Sequence, residues 1–92
     1  MLKAKDWYAR PMHGNKFQSG VPDIWAVHNT YGYRWIEVKM PHKYSFTPAQ
    51  LKEFRKISAF GGRIWILTAA TESEYEKLFQ KPNWETFVLR LL

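Results

Sequence analysis

Pro22-Asp23-Ile24-Trp25-Ala26-Val27-His28 and Tyr33-Arg34-Trp35-Ile36-Glu37-Val38-Lys39, joined by Asn29-Thr30-Tyr31-Gly32, form the stretch that decides the fold. Both arms are rich in β-branched and aromatic residues, and the connection holds Asn and Gly, so the segment reads as a β-hairpin. If the loop centres on Thr30, Asp23 and Glu37 lie opposite each other, each seven residues away. Another loop register shifts the pairing by a few residues and leaves them neighbours. Strand alternation puts Glu37 and Lys39 on one face. The hairpin therefore presents two carboxylates and an ammonium as one cluster.

Downstream, Thr47-Pro48-Ala49-Gln50 opens a helix: Thr is a good N-cap, Pro suits the first helical position, and Gln at the third completes a capping box. Leu51, Phe54, Ile57 and Ser58 recur at helical spacing, and Gly61-Gly62 ends the helix. Arg63 to Thr68 reads as a buried strand. Thr71-Glu72-Ser73-Glu74 opens a second short helix with its own capping box, running to about Phe79. Trp84 to Leu92 fits a helix face or a terminal strand. Upstream, Pro11 and Gly14 interrupt residues 1–16, which read as a short helix or an extended arm, and Phe17 to Gly20 reads as a short strand. The order of hairpin, helix, strand and helix predicts a small α/β sandwich.

Composition limits the function classes. The 92 residues are 46% hydrophobic, which suits one domain spanning residues 1–92 and excludes a disordered chain. Without cysteine there is no disulfide, thiolate zinc site or cysteine nucleophile. Residues 1–10 show no signal-peptide core, and no run reaches the ~20 apolar residues of a membrane span, so the expectation is a soluble intracellular domain. Fourteen Lys and Arg against eight acids give a net charge of +6. That excess favours a polyanionic partner, nucleic acid first. Residues 1–20 and 41–60 each hold four basic residues and one acid, so basic segments flank the neutral one that carries Asp23 and Glu37.

Facing carboxylates repel unless a cation joins them. A hard ion such as Mg²⁺ takes one or two carboxylates plus water and phosphate oxygens. Asp23 and Glu37 supply such a pair, and the Val38 carbonyl is a candidate third ligand. The ion would acidify water and stabilise charge on phosphate, while Lys39 would orient or deprotonate the attacking water or stabilise the pentavalent state. This is chemistry for phosphodiester hydrolysis. A solvated hairpin with a same-face Glu–Lys pair is the bland alternative.

The same residues resemble the PD-(D/E)XK nuclease superfamily and, within it, the VRR-NUC family of small phage and bacterial nucleases. The resemblance runs from Gly20-Val21-Pro22-Asp23-Ile24 through Trp35-Ile36-Glu37-Val38-Lys39 and Ser45-Phe46-Thr47-Pro48-Ala49-Gln50 to Gly61-Gly62, within about residues 13–68. It implies a restriction-endonuclease-like three-layer core, a small mixed β-sheet with a hairpin flanked by helices. It also implies Mg²⁺- or Mn²⁺-dependent endonuclease cleavage of DNA. Asp23, Glu37 and the Val38 carbonyl would hold metal, Lys39 would be catalytic, and Gln50 would be an auxiliary active-site residue. Stand-alone members are similar to Holliday-junction resolvases, which implies a homodimer acting on branched DNA in the cytoplasm of a bacterial or phage-infected cell. The superfamily often adds a Glu from an N-terminal helix. Here residues 1–19 contain only Asp6 as an acid, with Gln18 and His13 as possible replacements.

His13, Lys16, Gln18, Lys43 and Lys52 are the candidate DNA contacts, with Arg55 and Lys56 further along the helix. Tyr31, Tyr33 and Tyr44 could stack on unpaired bases or pack in the interior. Gln50 could serve the capping box, the site, or both. Trp84 to Leu92 is a candidate dimer surface, with core packing as its alternative. The rival functions are a non-catalytic DNA-binding module of the same fold, a monomeric flap or nicking nuclease, and an interaction domain of a larger assembly.

Overall fold

The computed structural model describes residues 7–12 and 20–91. Four strands form one sheet in chain order: β1 (Trp7–Pro11), β2 (Ile24–His28), β3 (Gly32–Val38) and β4 (Ile64–Leu67). The first three are antiparallel neighbours, and β4 runs parallel to β3. Helix α1 (Pro48–Ala59) makes the crossover that a parallel pair requires. A short α2 (Glu72–Tyr75), a 3-10 turn (Glu76–Phe79) and α3 (Trp84–Leu89) follow.

The sheet separates two apolar layers. Ile64 and Ile66 of β4 point to one side, with Phe54 of α1, Trp84 and Phe87 of α3, and Trp35. Trp65 and Leu67 point to the other, with Trp7, Ala26, Ile36 and Leu78. Because β4 is covered on both faces, all four of its residues are buried. This explains its unbroken apolar run. The arrangement is a three-layer mixed α/β fold.

Of the short helix or extended arm expected within residues 1–16, the described residues Trp7–Pro11 take the extended form, and as strand β1 they are part of the sheet. Trp7-Tyr8-Ala9-Arg10-Pro11 pairs with β2 from Trp7↔His28 to Pro11↔Ile24. Pro11 is tolerated because the strand lies at the sheet edge. Trp84 to Leu92 resolves as helix over Trp84–Leu89. Trp84 and Phe87 enter this chain's own core, so for these two residues packing replaces the expected dimer surface. The second capping box is only half formed. Thr71 Oγ1 accepts from the Glu74 N–H, but the Glu74 carboxylate turns to Thr68 N–H at 2.8 Å and pairs with Lys77 at 2.7 Å.

Strand β4 is the other edge, and side chains from downstream cover it. Asn83 Oδ1 accepts from Ile66 N–H at 2.6 Å, and its Nδ2 donates to the Ile66 carbonyl at 3.1 Å. Asn83 thus supplies one residue's worth of missing strand and blocks edge pairing. Asn83→Ala leaves both Ile66 groups without this partner. It is expected to cost about 2 kcal/mol in urea denaturation, with Asn83→Asp, which keeps the acceptor, losing less.

Candidate active site

The hairpin turn sets the register of the site. His28 pairs with Gly32 and Ile24 with Ile36, so the connection centres on Thr30 and Asp23 falls opposite Glu37. His28 is a turn-capping residue, since its Nδ1 accepts from the Thr30 N–H at 3.0 Å and the Tyr31 N–H at 3.3 Å. Gly32, at φ 84°, provides the left-handed residue the return needs.

Where β2 begins, side chains replace the ladder. The Asp23 N–H donates to Glu37 Oε1 at 3.1 Å, and the Val38 N–H donates to Asp23 Oδ2 at 3.0 Å. Each strand therefore clamps the other's carboxylate. Glu37 is buried at 3% exposure, and Lys39 Nζ lies 3.2 Å from its Oε2. The Lys39 N–H bonds to the Leu67 carbonyl at 2.9 Å, which carries the β3–β4 pairing past the strand's end and keeps Lys39 on the Glu37 face.

Helix α1 contributes Gln50 to this cluster. Both capping-box bonds form: Thr47 Oγ1 accepts from the Gln50 N–H at 3.1 Å, and Gln50 Oε1 accepts from the Thr47 N–H at 3.0 Å. The same Oε1 accepts from Lys39 Nζ at 3.1 Å, while Nε2 donates to Glu37 Oε2 at 2.8 Å. One amide thus caps the helix and bridges the ion pair. Phe46 completes the setting, with its ring face 4.7 Å from Lys39 Nζ. Sequence reading missed that contact, although Phe46 sits one residue before the cap.

Gly20 explains how α1 comes so close. It has φ +84°, and a Cβ there would lie 2.6 Å from the Ala49 carbonyl carbon and 3.0 Å from the Gln50 nitrogen. Only glycine lets the chain pass this near the helix start. Pro22, fully buried, follows two residues later and leads into Asp23.

Burial pushes the Glu37 carboxyl above the ordinary carboxylate range, and the Asp23 charge pushes it further. Lys39 and the Asp23 N–H oppose this without overcoming it. The cluster sets two carboxylates beside a single ammonium, that of Lys39. Asp23 Oδ1 makes no hydrogen bond among the described residues. A divalent cation fits this donor set, since it would relieve the repulsion with hard oxygen ligands. Among the described residues no third carboxylate or imidazole joins the pair.

The structure thus brings together Asp23, Glu37, Val38, Lys39 and Gln50. Lys43 and Lys52 are exposed and stand outside this network, as do Arg55 and Lys56. His13, Lys16 and Gln18 lie outside the described residues. Tyr44 packs edge-on against Phe87 at 5.2 Å and belongs to the core layer, whereas Tyr31 and Tyr33 are about half exposed at 54% and 48%. No described helix is long and apolar enough to cross a membrane.

The mixed sheet and its helical layers make a restriction-endonuclease-like α/β fold. Hjc, a Holliday junction resolvase of the archaeal hyperthermophile Archaeoglobus fulgidus, has a similar structure, with a TM-score of 0.50 and 23% sequence identity over 71% of this chain. The chain spans 55% of that resolvase's length, and at this identity the likeness is one of fold. No family model and no curated protein matches the chain.

Proposed function

We propose that this chain is a metal-dependent DNA endonuclease of the PD-(D/E)XK type, close to the VRR-NUC pattern, acting on branched DNA as a homodimer. The observation that carries the reading is the convergence of Asp23, Glu37, Lys39 and Gln50 at one end of the sheet, with Glu37 at once buried, repelled by Asp23 and paired with Lys39. The resolvase-like fold and the net charge of +6 support the choice of DNA.

Asp23, Glu37 and the Val38 carbonyl would hold a Mg²⁺ or Mn²⁺ ion. When bound, such an ion supplies Lewis acidity toward phosphate and makes water a better nucleophile at neutral pH. The remaining work falls to this chain's residues. Lys39 has three N–H donors, of which Glu37 and Gln50 take two. The third is available to the attacking water or to a phosphate oxygen as negative charge grows there. Gln50 is a positioning residue that fixes both the Lys39 ammonium and the Glu37 carboxylate.

The test is cleavage of labelled four-way junction, flap, duplex and single-stranded DNA in Mg²⁺, Mn²⁺ or EDTA. Cleavage in metal alone, falling about 10²–10³-fold in Lys39→Ala with DNA binding kept, is the expected result. DNA binding without cutting in either metal would reduce the chain to a binding module. Gln50→Ala is expected to slow cleavage about 10–100-fold and to cost about 1 kcal/mol of stability through the lost cap. Thr47→Ala separates the two roles, because it removes the Oγ1 half of the cap and leaves the bridge to Glu37 and Lys39.

A further inference from the structure

An antiparallel sheet that packs on one face and meets solvent on the other alternates apolar and polar residues. Strands β1, β2 and β3 do not. Their inner face carries Trp7, Ala26 and Ile36, all buried. Their other face carries Tyr8 and Arg10 on β1, Trp25 and Val27 on β2, and Tyr33 and Trp35 on β3. Pairing sets these in two rows, Arg10–Trp25–Trp35 and Tyr8–Val27–Tyr33. The apolar layer under α1 takes in Trp35 and β4, and among the described residues it includes none from β1 or β2. Tyr8 therefore stays 50% exposed and Tyr33 48%. Contiguous aromatic surface on an open sheet face marks a binding site rather than scattered exposure.

Ring geometry, charge and position together define the occupant. Trp25 and Tyr33 are stacked, with ring centroids 6.5 Å apart and planes 29° from parallel. A shallow groove of about 440 Å³, lined by Tyr8, Arg10, Met12, Trp25 and Trp35, holds one charge, the Arg10 guanidinium, and no carboxylate. Arg10 donates to the Tyr8 hydroxyl at 3.0 Å and meets no acid among the described residues. Its remaining N–H donors are available to a phosphate. The face also runs into the carboxylate–lysine site. Glu37 follows Trp35 by two residues on one face of β3, and Trp25 follows Asp23 by two, about 7 Å along the chain in each case.

We infer that this face holds unpaired nucleotides beside the phosphate that the acid pair receives, with bases stacked on Trp25, Tyr8 and Tyr33 and with Arg10 on their backbone. An aromatic ring grips a base through its π-face, whatever the base. Inside a duplex those faces are covered by neighbouring bases, so the surface selects strand that has left the stack. Lysines and arginines alone position a duplex as readily as a single strand, and here the rings supply the discrimination. The inference rests on the proposed function for the place of the cut, and it narrows the branched substrate to one with an unpaired arm there. Base binding itself is measured apart from cleavage.

Fluorescence anisotropy in EDTA tests it. The labelled probes are a DNA flap, a blunt duplex of the same sequence, and the flap with abasic sites in the unpaired arm beside the branch. The expected result is wild type holding the flap about tenfold tighter than the duplex, with the abasic arm losing that margin although its phosphates remain. Trp25→Ala loses it too, and Trp25→Phe, which keeps a ring, recovers most of it. Tyr8→Ala and Tyr33→Ala, at half-exposed positions that spare the core, each weaken flap binding about fivefold and leave duplex binding unchanged. Arg10→Ala lowers the salt slope of flap binding by about 0.7, the share of one single-strand phosphate. Circular dichroism confirms that each variant folds. Equal affinity for flap and duplex, an abasic arm held as well as an intact one, or tyrosine variants that bind the flap as wild type does would overturn the inference. Self-association lost in Tyr8→Ala, with no preference for the flap, would also overturn it and give the face to a protein partner. Flap preference in a chain that never cuts would leave the base-binding face standing and overturn the proposed function, and cutting without that preference would do the reverse.

Discussion

Glu37→Gln is expected to lower metal-dependent cleavage by about 10³-fold or more while the protein stays folded. The substitution keeps the side chain's shape but removes its charge and one acceptor. Glu37 now accepts from the Asp23 N–H at Oε1 and from Gln50 Nε2 at Oε2, beside Lys39. A glutamine must turn its own NH₂ toward one of these donors, so one bond is lost. Relief from burying a carboxylate next to Asp23 offsets part of that loss. Stability is therefore expected to change by about 1 kcal/mol or less, read as a melting shift within about 8 °C. Mn²⁺ should raise the melting temperature of wild type and leave Glu37→Gln nearly unmoved. A variant that cuts at near wild-type rate would remove Glu37 from the mechanism.

The raised Glu37 carboxyl also predicts the sign of a pH effect in EDTA. Its folded-state pKa lies above the ordinary 4.5, so the folded state binds more protons than the unfolded state between those two values. This group's contribution is therefore most favourable below 4.5 and declines as pH rises through the folded pKa. Comparing wild type with Glu37→Gln across that window isolates it, because the variant lacks the titration. Saturating Mn²⁺ at neutral pH should offset the decline in wild type alone.

The second large effect is expected at Gly20→Ala. Its left-handed φ of +84° costs any L-residue about 1–3 kcal/mol, and the new methyl meets the Ala49 backbone, which cannot rotate away as a side chain can. Together these give about 2–4 kcal/mol, or a melting shift on the order of 15 °C in a domain of this size. Cleavage by the remaining folded protein should fall at least about tenfold, because moving Ala49 moves Gln50 away from Glu37 and Lys39. Gly61→Ala is the matched control. It has φ +89° with nothing within 4 Å of the added methyl, so it bears the backbone cost alone. Equal losses at the two glycines would show that the close approach at Gly20 has no consequence.

Much of the fold was legible because its signals are local. The hairpin made Asp23 and Glu37 neighbours in any register and direct opposites if its loop centred on Thr30, as it does, and two residues of alternation placed Lys39 beside Glu37. Thr47, Pro48 and Gln50 marked the start of α1 within four positions. The strand β1 was not legible, since five residues ending in proline carry little β signal and the pairing with β2 is what makes them a strand. The two sides of Glu74 show the same limit. Its spacing from Thr71 suggested a reciprocal cap, but tertiary contact offered Thr68 and Lys77 instead.

The sequence by itself determined the hairpin and the nearness of its two acids and lysine, because these depend on chain neighbours and strand periodicity, while the pairing of β2 with β3 chose the Thr30-centred register among those the loop allowed. Tertiary structure alone decided how that cluster is finished. It buried Glu37, set the ring of Phe46 against Lys39, brought Gln50 across from α1 through the gap left at Gly20, and closed the β4 edge with Asn83. These contacts join residues far apart in the chain. Their energies depend on desolvation and close packing, quantities that come into being only when the layers meet.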